Sequence, residues 1–136
     1  MLLDTRPVAS GRGKVTRSVL LIDDDRETAA ATRQVLEQIR VSVRAVPDGR
    51  VAVTEMAREA PDAIVVELGS MTGREVIDAV KTTSQWGTIA IPIIMYSRMP
   101  VLSQIEAHVF HGADAFVSKD AGPAVLAEHL LALLDQ

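Results

Sequence analysis

Short continuous apolar runs alternate along this chain with apolar residues at helical spacing. Runs at 19–22, 63–66, 91–96 and 115–117 predict strands, and the continuous Val, Leu and Ile run at 19–22 is typical of a strand buried on both faces. The segment 41–46 instead alternates between apolar and polar residues, which indicates a half-exposed edge strand. Each run is followed by a segment whose apolar residues recur every three or four positions. The pattern therefore predicts five strands alternating with five helices.

This alternation predicts an α/β fold of the flavodoxin-like (βα)5 type, with a doubly wound parallel sheet. Right-handed crossovers favour the strand order 2-1-3-4-5. Asp24, with Glu27 three residues later, predicts a capping box at the start of the first helix. In such sheets ligands bind beyond the carboxyl ends of the strands, so a functional site is expected at that edge of the sheet.

Charge divides the chain into two parts. Residues 1–17 hold four basic residues and one acidic residue, without periodicity, and we predict a flexible basic leader there and a single domain at 18–136. The net charge of -4 and a pI near 5.3 argue against nucleic acid as a partner. No apolar run is long enough to span a membrane and no signal peptide is evident, so we expect a cytoplasmic protein. The absence of cysteine excludes disulfides and thiolate metal sites.

Charged and hydroxyl residues collect at the predicted carboxyl edge of the sheet. The first strand ends in 23–25, three consecutive aspartates; Glu67 ends the third strand, Ser97 and Arg98 end the fourth, and Lys119 follows the fifth. Each residue alone has a simpler interpretation as a helix cap, a turn residue or a solvated lysine. Together they indicate a site, and carboxylates gathered in one cleft need a divalent cation, a lysine or raised pKa values. Lys119 can offset one charge.

This constellation resembles the receiver domain of response regulators in two-component signalling, over nearly all of residues 18–135. The resemblance implies that Asp23 and Asp24 bind magnesium together with an acceptor aspartate, which takes a phosphoryl group from a histidine kinase. It places Glu67 at the acceptor position and Ser97 and Lys119 where the phosphate is recognised. It also implies that Phe116 is the aromatic that changes rotamer. The motifs that carry the resemblance are Leu20 to Asp25, Asp48-Gly49, Pro61-Asp62, Ile91 to Ser97, Gly112 to Asp114 and Val117 to Lys119.

Four departures from the family pattern affect the same site. Glu67 replaces the acceptor aspartate, and its carboxylate reaches about 1.5 Å further, which disturbs the geometry for in-line attack. Arg98 replaces a small residue and is predicted to pair with Glu67 or Asp24. The loop 68–72 is shorter than usual. Asp120 stands where the family usually has a proline.

We therefore hypothesise a pseudo-receiver, not an enzyme, that acts as a phosphorylation-independent signalling and protein-interaction module without a cofactor. A weak magnesium site would use Asp24 and Glu67. The expected partner is a protein or an output domain, with homodimerisation through the fourth helix, fifth strand and fifth helix, near Phe110 and His111. Two alternatives stay open: a receiver phosphorylated on another carboxylate such as Asp24, and an unrelated flavodoxin-like ligand-binding domain.

Overall fold

Five parallel strands form one sheet in the described part of the molecule. The computed structural model describes residues 17–66, 91–98 and 114–135. The strands are β1 (Arg17–Ile22), β2 (Val41–Val46), β3 (Ala63–Val66), β4 (Ile93–Ser97) and β5 (Ala115–Ser118). They are hydrogen bonded in the order β2-β1-β3-β4-β5, which confirms the predicted doubly wound α/β arrangement.

Three of the five predicted helices fall within the described residues. They are α1 (Arg26–Glu37), α2 (Gly49–Arg58) and α3 (Pro123–Leu134), and a short 3₁₀ helix (Lys119–Ala121) follows β5 directly. The third and fourth predicted helices lie outside the described residues, as do residues 1–16 of the predicted leader. β1 begins at Arg17, one residue before the predicted start of the domain.

Apolar side chains cover both faces of the sheet, which explains why the central strands lack polar alternation. On one face Leu21 of β1 belongs to a cluster with Leu36 of α1 and Leu130 of α3, all fully buried. On the other face Leu20 belongs to a second cluster with Met56 of α2. Burying a side chain of this size stabilises the fold by about 1.5–3 kcal/mol. The sheet is therefore held from both sides and can position polar residues at its ends.

The aspartate that caps α1 is Asp25, so the capping box predicted for Asp24 is wrong. The Asp25 carboxylate accepts hydrogen bonds from the backbone N–H groups of Glu27 at 3.0 Å and Thr28 at 3.2 Å. The backbone hydrogen bond from Thr28 is the main cause of the lowered pKa of Asp25. The pattern misled because three consecutive aspartates precede the helix, and only the backbone path decides which of them sits at the cap.

Two aspartates align the amino ends of neighbouring strands through the same reciprocal hydrogen bonds. The Asp62 N–H donates to the Ser18 carbonyl and the Ser18 N–H donates to Asp62 Oδ2, both at 2.7 Å. Likewise the Asp114 N–H donates to the Ile93 carbonyl and the Ile93 N–H donates to Asp114 Oδ2, both at 2.8 Å. Each clamp fixes the register at the start of a strand pair, and the carboxyl ends of these strands are aligned in consequence.

Candidate functional site

The strand register brings the predicted site residues to one edge of the sheet. Ile22 pairs with Val66 across β1 and β3, and Ser97 pairs with Ser118 across β4 and β5. Asp23 therefore follows β1 at the same edge where Ser97 ends β4 and Lys119 follows β5. Residues separated by up to 96 positions in sequence meet there.

A buried ion pair joins two of these residues. Lys119 Nζ lies 3.3 Å from Asp23 Oδ2, and the two side chains are 5% and 0% exposed. The other carboxylate oxygen, Asp23 Oδ1, accepts the Asp25 N–H at 2.9 Å. Both oxygens of Asp23 are thus engaged by the protein itself, in a place where water does not screen the charges.

Asp24 differs sharply from Asp23 in its surroundings. Asp24 is exposed, whereas Asp23 is 6% exposed. Magnesium needs near-octahedral oxygen coordination and keeps several of its waters, so it requires accessible carboxylates. Within residues 17–66, 91–98 and 114–135, no three His, Asp or Glu side chains are close enough to hold a metal ion. Glu67, the further ligand that the resemblance implies, lies outside the described residues, so the weak magnesium site stays a prediction.

Tyr96 is a site residue that sequence reasoning missed. It is 3% exposed, and its pKa is raised because burial disfavours the phenolate, while a hydrogen bond with the Thr32 side chain acts in the opposite direction. Lys119 Nζ lies 5.8 Å from the centre of the Tyr96 ring, within the range of a cation–π contact. Thr32 is itself 1% exposed. A tyrosine in the middle of an apolar strand was the only available signal, because Thr32 and Lys119 are remote in sequence.

The last residues of β4 place a buried hydroxyl beside an exposed guanidinium. Ser97 is 2% exposed. Arg98 Nε lies 3.7 Å from Asp120 Oδ1, and these two side chains are 71% and 80% exposed. The sequence predicted Glu67 or Asp24 as the partner of Arg98, so the pair with Asp120 is a new finding. It joins two of the positions that depart from the family pattern, although so exposed a pair contributes at most about 1 kcal/mol.

Phe116 lies in β5, opposite Met95 of β4, and is half-buried against the apolar cluster on the α2 face. Its role as a switch aromatic stays a prediction. Glu67, the loop 68–72, Phe110 and His111 lie outside the described residues, so the altered acceptor and the proposed partner surface stay predictions as well.

Known proteins resemble this chain in sequence and in fold. A family model of the response regulator receiver domain matches residues 19–131. The response regulator MprA of Mycolicibacterium vanbaalenii is 29% identical over 118 residues, which cover 85% of this chain and 49% of that protein. The chain thus spans about half the length of this curated relative.

Solved structures agree with this match. The signal receiver domain of a histidine kinase from Syntrophus aciditrophicus has a TM-score of 0.76 and 26% identity, over 88% of this chain and 90% of that one. A structure described as a putative response regulator from Chloroflexus aurantiacus has a TM-score of 0.80, at 22% identity over 90% and 100% of the two chains. At such low identity the latter shows the fold alone. In the described part of the chain, no helix is long and apolar enough to cross a membrane.

Proposed function

This chain belongs to the response regulator receiver domain family, and we propose that it is a variant that signals through protein contacts without being switched by aspartyl phosphorylation. Receiver domains of response regulators are generally signalling modules rather than enzymes, and they act on other proteins or on attached output domains. Membership of this family argues against the alternative of an unrelated flavodoxin-like ligand-binding domain. The finer proposal concerns how this particular chain departs from its family.

The residue that follows β3 carries the proposal. β3 ends at Val66, and the next residue is Glu67, where the resemblance implies a phosphate-accepting aspartate. Phosphoryl transfer depends on placing the attacking oxygen in line with the bond that breaks, and misplacement by about 1 Å costs on the order of 100-fold in rate. The additional methylene of glutamate moves the carboxylate by about that distance.

The contacts of the described residues support the same proposal. Lys119, which would recognise a phosphate, is within 3.3 Å of Asp23 and is almost fully buried. Ser97, the hydroxyl that would contact the phosphate, is 2% exposed. A phosphoryl group that binds Lys119 would compete with Asp23 for the buried ammonium, and separating a buried ion pair is costly.

The proposed partner is another protein or an output domain, because a receiver that performs no chemistry acts by binding. The relative MprA is about twice as long as the segment that matches this chain.

The test is to incubate the protein with acetyl phosphate and Mg²⁺ and measure the intact mass, with an ordinary receiver domain labelled in parallel to show that the donor is active. We expect no phosphorylated species of the wild-type chain. The matched variants are Glu67→Asp, which restores the acceptor, and Glu67→Gln, which removes the charge without changing the length. Stoichiometric labelling of the wild type would overturn the proposal.

One observation favours a second candidate, phosphorylation of Asp24. Asp24 is exposed and is not the residue that caps α1. If the wild-type chain is labelled, Asp24→Asn separates the two cases, because it abolishes the label only when Asp24 is the acceptor. Labelling that persists in Asp24→Asn and disappears in Glu67→Gln would identify Glu67 itself.

A further inference from the structure

The outer edge of β2 is open in the described part of the molecule. β2 is the first strand of the sheet, and no described strand pairs with its outer side. The Asp23 N–H donates to the Val46 carbonyl at 3.0 Å, so the polar groups of Val46 face β1. Because backbone groups alternate along a strand, the N–H and C=O groups of Val41, Val43 and Ala45 face away from the sheet. Within the described residues, no strand pairs with the row of donors and acceptors that these three residues present.

A groove of about 500 Å³ lies beside this edge, between β2 and α1. Its floor includes Ala45, Val46 and Pro47. Its wall is one stripe of α1 at the spacing i, i+3, i+4, i+7, i+8, i+11, formed by Arg26, Ala29, Ala30, Arg33, Gln34 and Glu37. One face of α1 therefore lines the groove beside the edge of β2. Ala30 on this face is exposed and allows another helix to approach closely, whereas Ala29 is 7% exposed and belongs to the core.

We propose that the β2 edge and this face of α1 form a two-fold interface between two copies of the chain. β2 pairs antiparallel with β2 of the second copy, which joins the two sheets, and the two α1 helices pack side by side above the junction. The proposal does not rest on the function proposed above, and Asp23 and Asp24 of the candidate site also line one end of the groove.

The register of the strand pair follows from the residues of β2. Centring the pair on Val43 places Val43 opposite its own copy and Val41 opposite Ala45, so all three outward-facing residues form hydrogen-bonded pairs. Centring on Arg44 would place two like charges opposite each other, which is destabilising, and would bring Pro47, which lacks an N–H, opposite Val41. The Val43 register also keeps each helix-facing side chain on the helix-facing side of the joined sheet.

The spacing of the helices fits the same arrangement. α1 connects β1 to β2 and packs on the face of the sheet that includes Val41 and Val43. Parallel and antiparallel neighbours lie about 4.8 Å apart, so two helices that each lie over β1 and β2 would be about 10 Å apart in the dimer. Helices pack at about 8–10 Å. The second α1 would therefore fill the groove of the first.

Charge complementarity supports a second copy as the occupant. Arg26 is at the amino end of the α1 stripe and Glu37 is at its carboxyl end. The two-fold axis makes the helices antiparallel, so Arg26 of each copy lies near Glu37 of the second copy, and the pair forms twice. Glu37 also pairs with Arg33 of its own helix at 3.1 Å, which holds its carboxylate on this face.

The experiment is sedimentation velocity of the full chain over a concentration series, with charge-swap variants. We expect a monomer–dimer equilibrium in the wild type, and Arg26→Glu or Glu37→Arg should raise the dissociation constant about tenfold, since each change alters two pairs. The double variant should return to within about threefold of the wild type, because the pairs re-form with reversed sign. Each single change places a charge at the end of α1 where the helix dipole favours it: a glutamate at the amino end or an arginine at the carboxyl end. Loss of the dimer would therefore not be caused by unfolding of this helix. Ala45→Lys should abolish the dimer, and Ala57→Lys, at an exposed position of α2, is the control.

Amide hydrogen exchange supplies an internal control within one strand. Exchange at Val43 should slow as concentration rises, because its outward N–H becomes bonded in the dimer. The N–H of Arg44 faces β1 and should exchange equally slowly at all concentrations. A wild-type chain that is monomeric throughout the series would overturn the proposal. So would a dimer that is indifferent to Ala45→Lys and to the charge swaps.

Discussion

Removing the ammonium of Lys119 should destabilise this domain strongly, although the residue lies at the end of a strand. Lys119→Met keeps most of the side-chain volume and leaves the buried Asp23 carboxylate without its cation. Breaking a buried ion pair from one side costs about 3–5 kcal/mol, because the remaining charge is neither solvated nor neutralised. Against a total stability of about 5–15 kcal/mol, the variant should still fold but with a much smaller margin.

The assay is urea unfolding at neutral pH, followed by far-ultraviolet circular dichroism. With an m-value near 2 kcal/mol/M, a loss of about 4 kcal/mol lowers the midpoint by about 2 M. Arg98→Met is the matched control, since it also deletes a cation from a strand end. Its partner Asp120 is 80% exposed, so the cost should be about 0.5 kcal/mol or less.

A second substitution distinguishes the loss of the Lys119 charge from the loss of its packing. Asp23→Asn in the Lys119→Met background removes the uncompensated carboxylate, and we expect it to recover at least about half of the lost free energy. A Lys119→Met variant within about 1 kcal/mol of the wild type would refute the reasoning. An Asp23→Asn change that gives no recovery would show that Lys119 stabilises the fold by packing rather than by pairing.

Three further predictions rest on particular contacts. Asp114→Ala leaves the Ile93 N–H without its acceptor and should cost about 1–2 kcal/mol in urea unfolding, whereas Asp114→Asn, which retains an acceptor oxygen, should cost less. Tyr96 is the only tyrosine in the sequence, so an ultraviolet pH titration of phenolate absorbance reports on this residue alone. The midpoint of that titration should lie above pH 10.0 in the folded protein, because burial raises the pKa of Tyr96. A midpoint at or below pH 10.0 would contradict the burial of this side chain. Because the folded pKa of Tyr96 is raised, its contribution to stability is full below pH 10.0 and is lost as the pH rises through the folded pKa. The pKa of Asp25 is lowered, so the contribution of this cap is present above its ordinary value of 3.8 and is lost as the pH falls through the folded value. Asp25→Asn should therefore make the free energy of unfolding depend less on pH in the acid range. An unchanged pH dependence would argue against the cap.

At the carboxyl edge of the sheet, the sequence predicted which residues come together but not which of them make contact. The strand order predicted that one edge of the sheet would hold Asp23, Ser97 and Lys119, because the carboxyl ends of parallel strands lie at the same edge. That Lys119 lies against Asp23 and over the ring of Tyr96 required side-chain positions. Three adjacent aspartates look alike in sequence, yet the structure buries Asp23 against Lys119 and uses the exposed Asp25 as the cap of α1, whereas the exposed Asp24 is not that cap.

The hydrophobic pattern was enough to predict the number and order of the described strands, because periodicity is a local property and crossover handedness permits few topologies. The sequence also identified Glu67 at the acceptor position, since that follows from counting along the chain. The folded structure was needed to show which charges are buried as a pair, that Tyr96 lies beneath Lys119, and that no described strand pairs with the outer edge of β2 beside the groove. Those outcomes depend on distances between residues far apart in sequence, and on desolvation that exists only once the chain is folded.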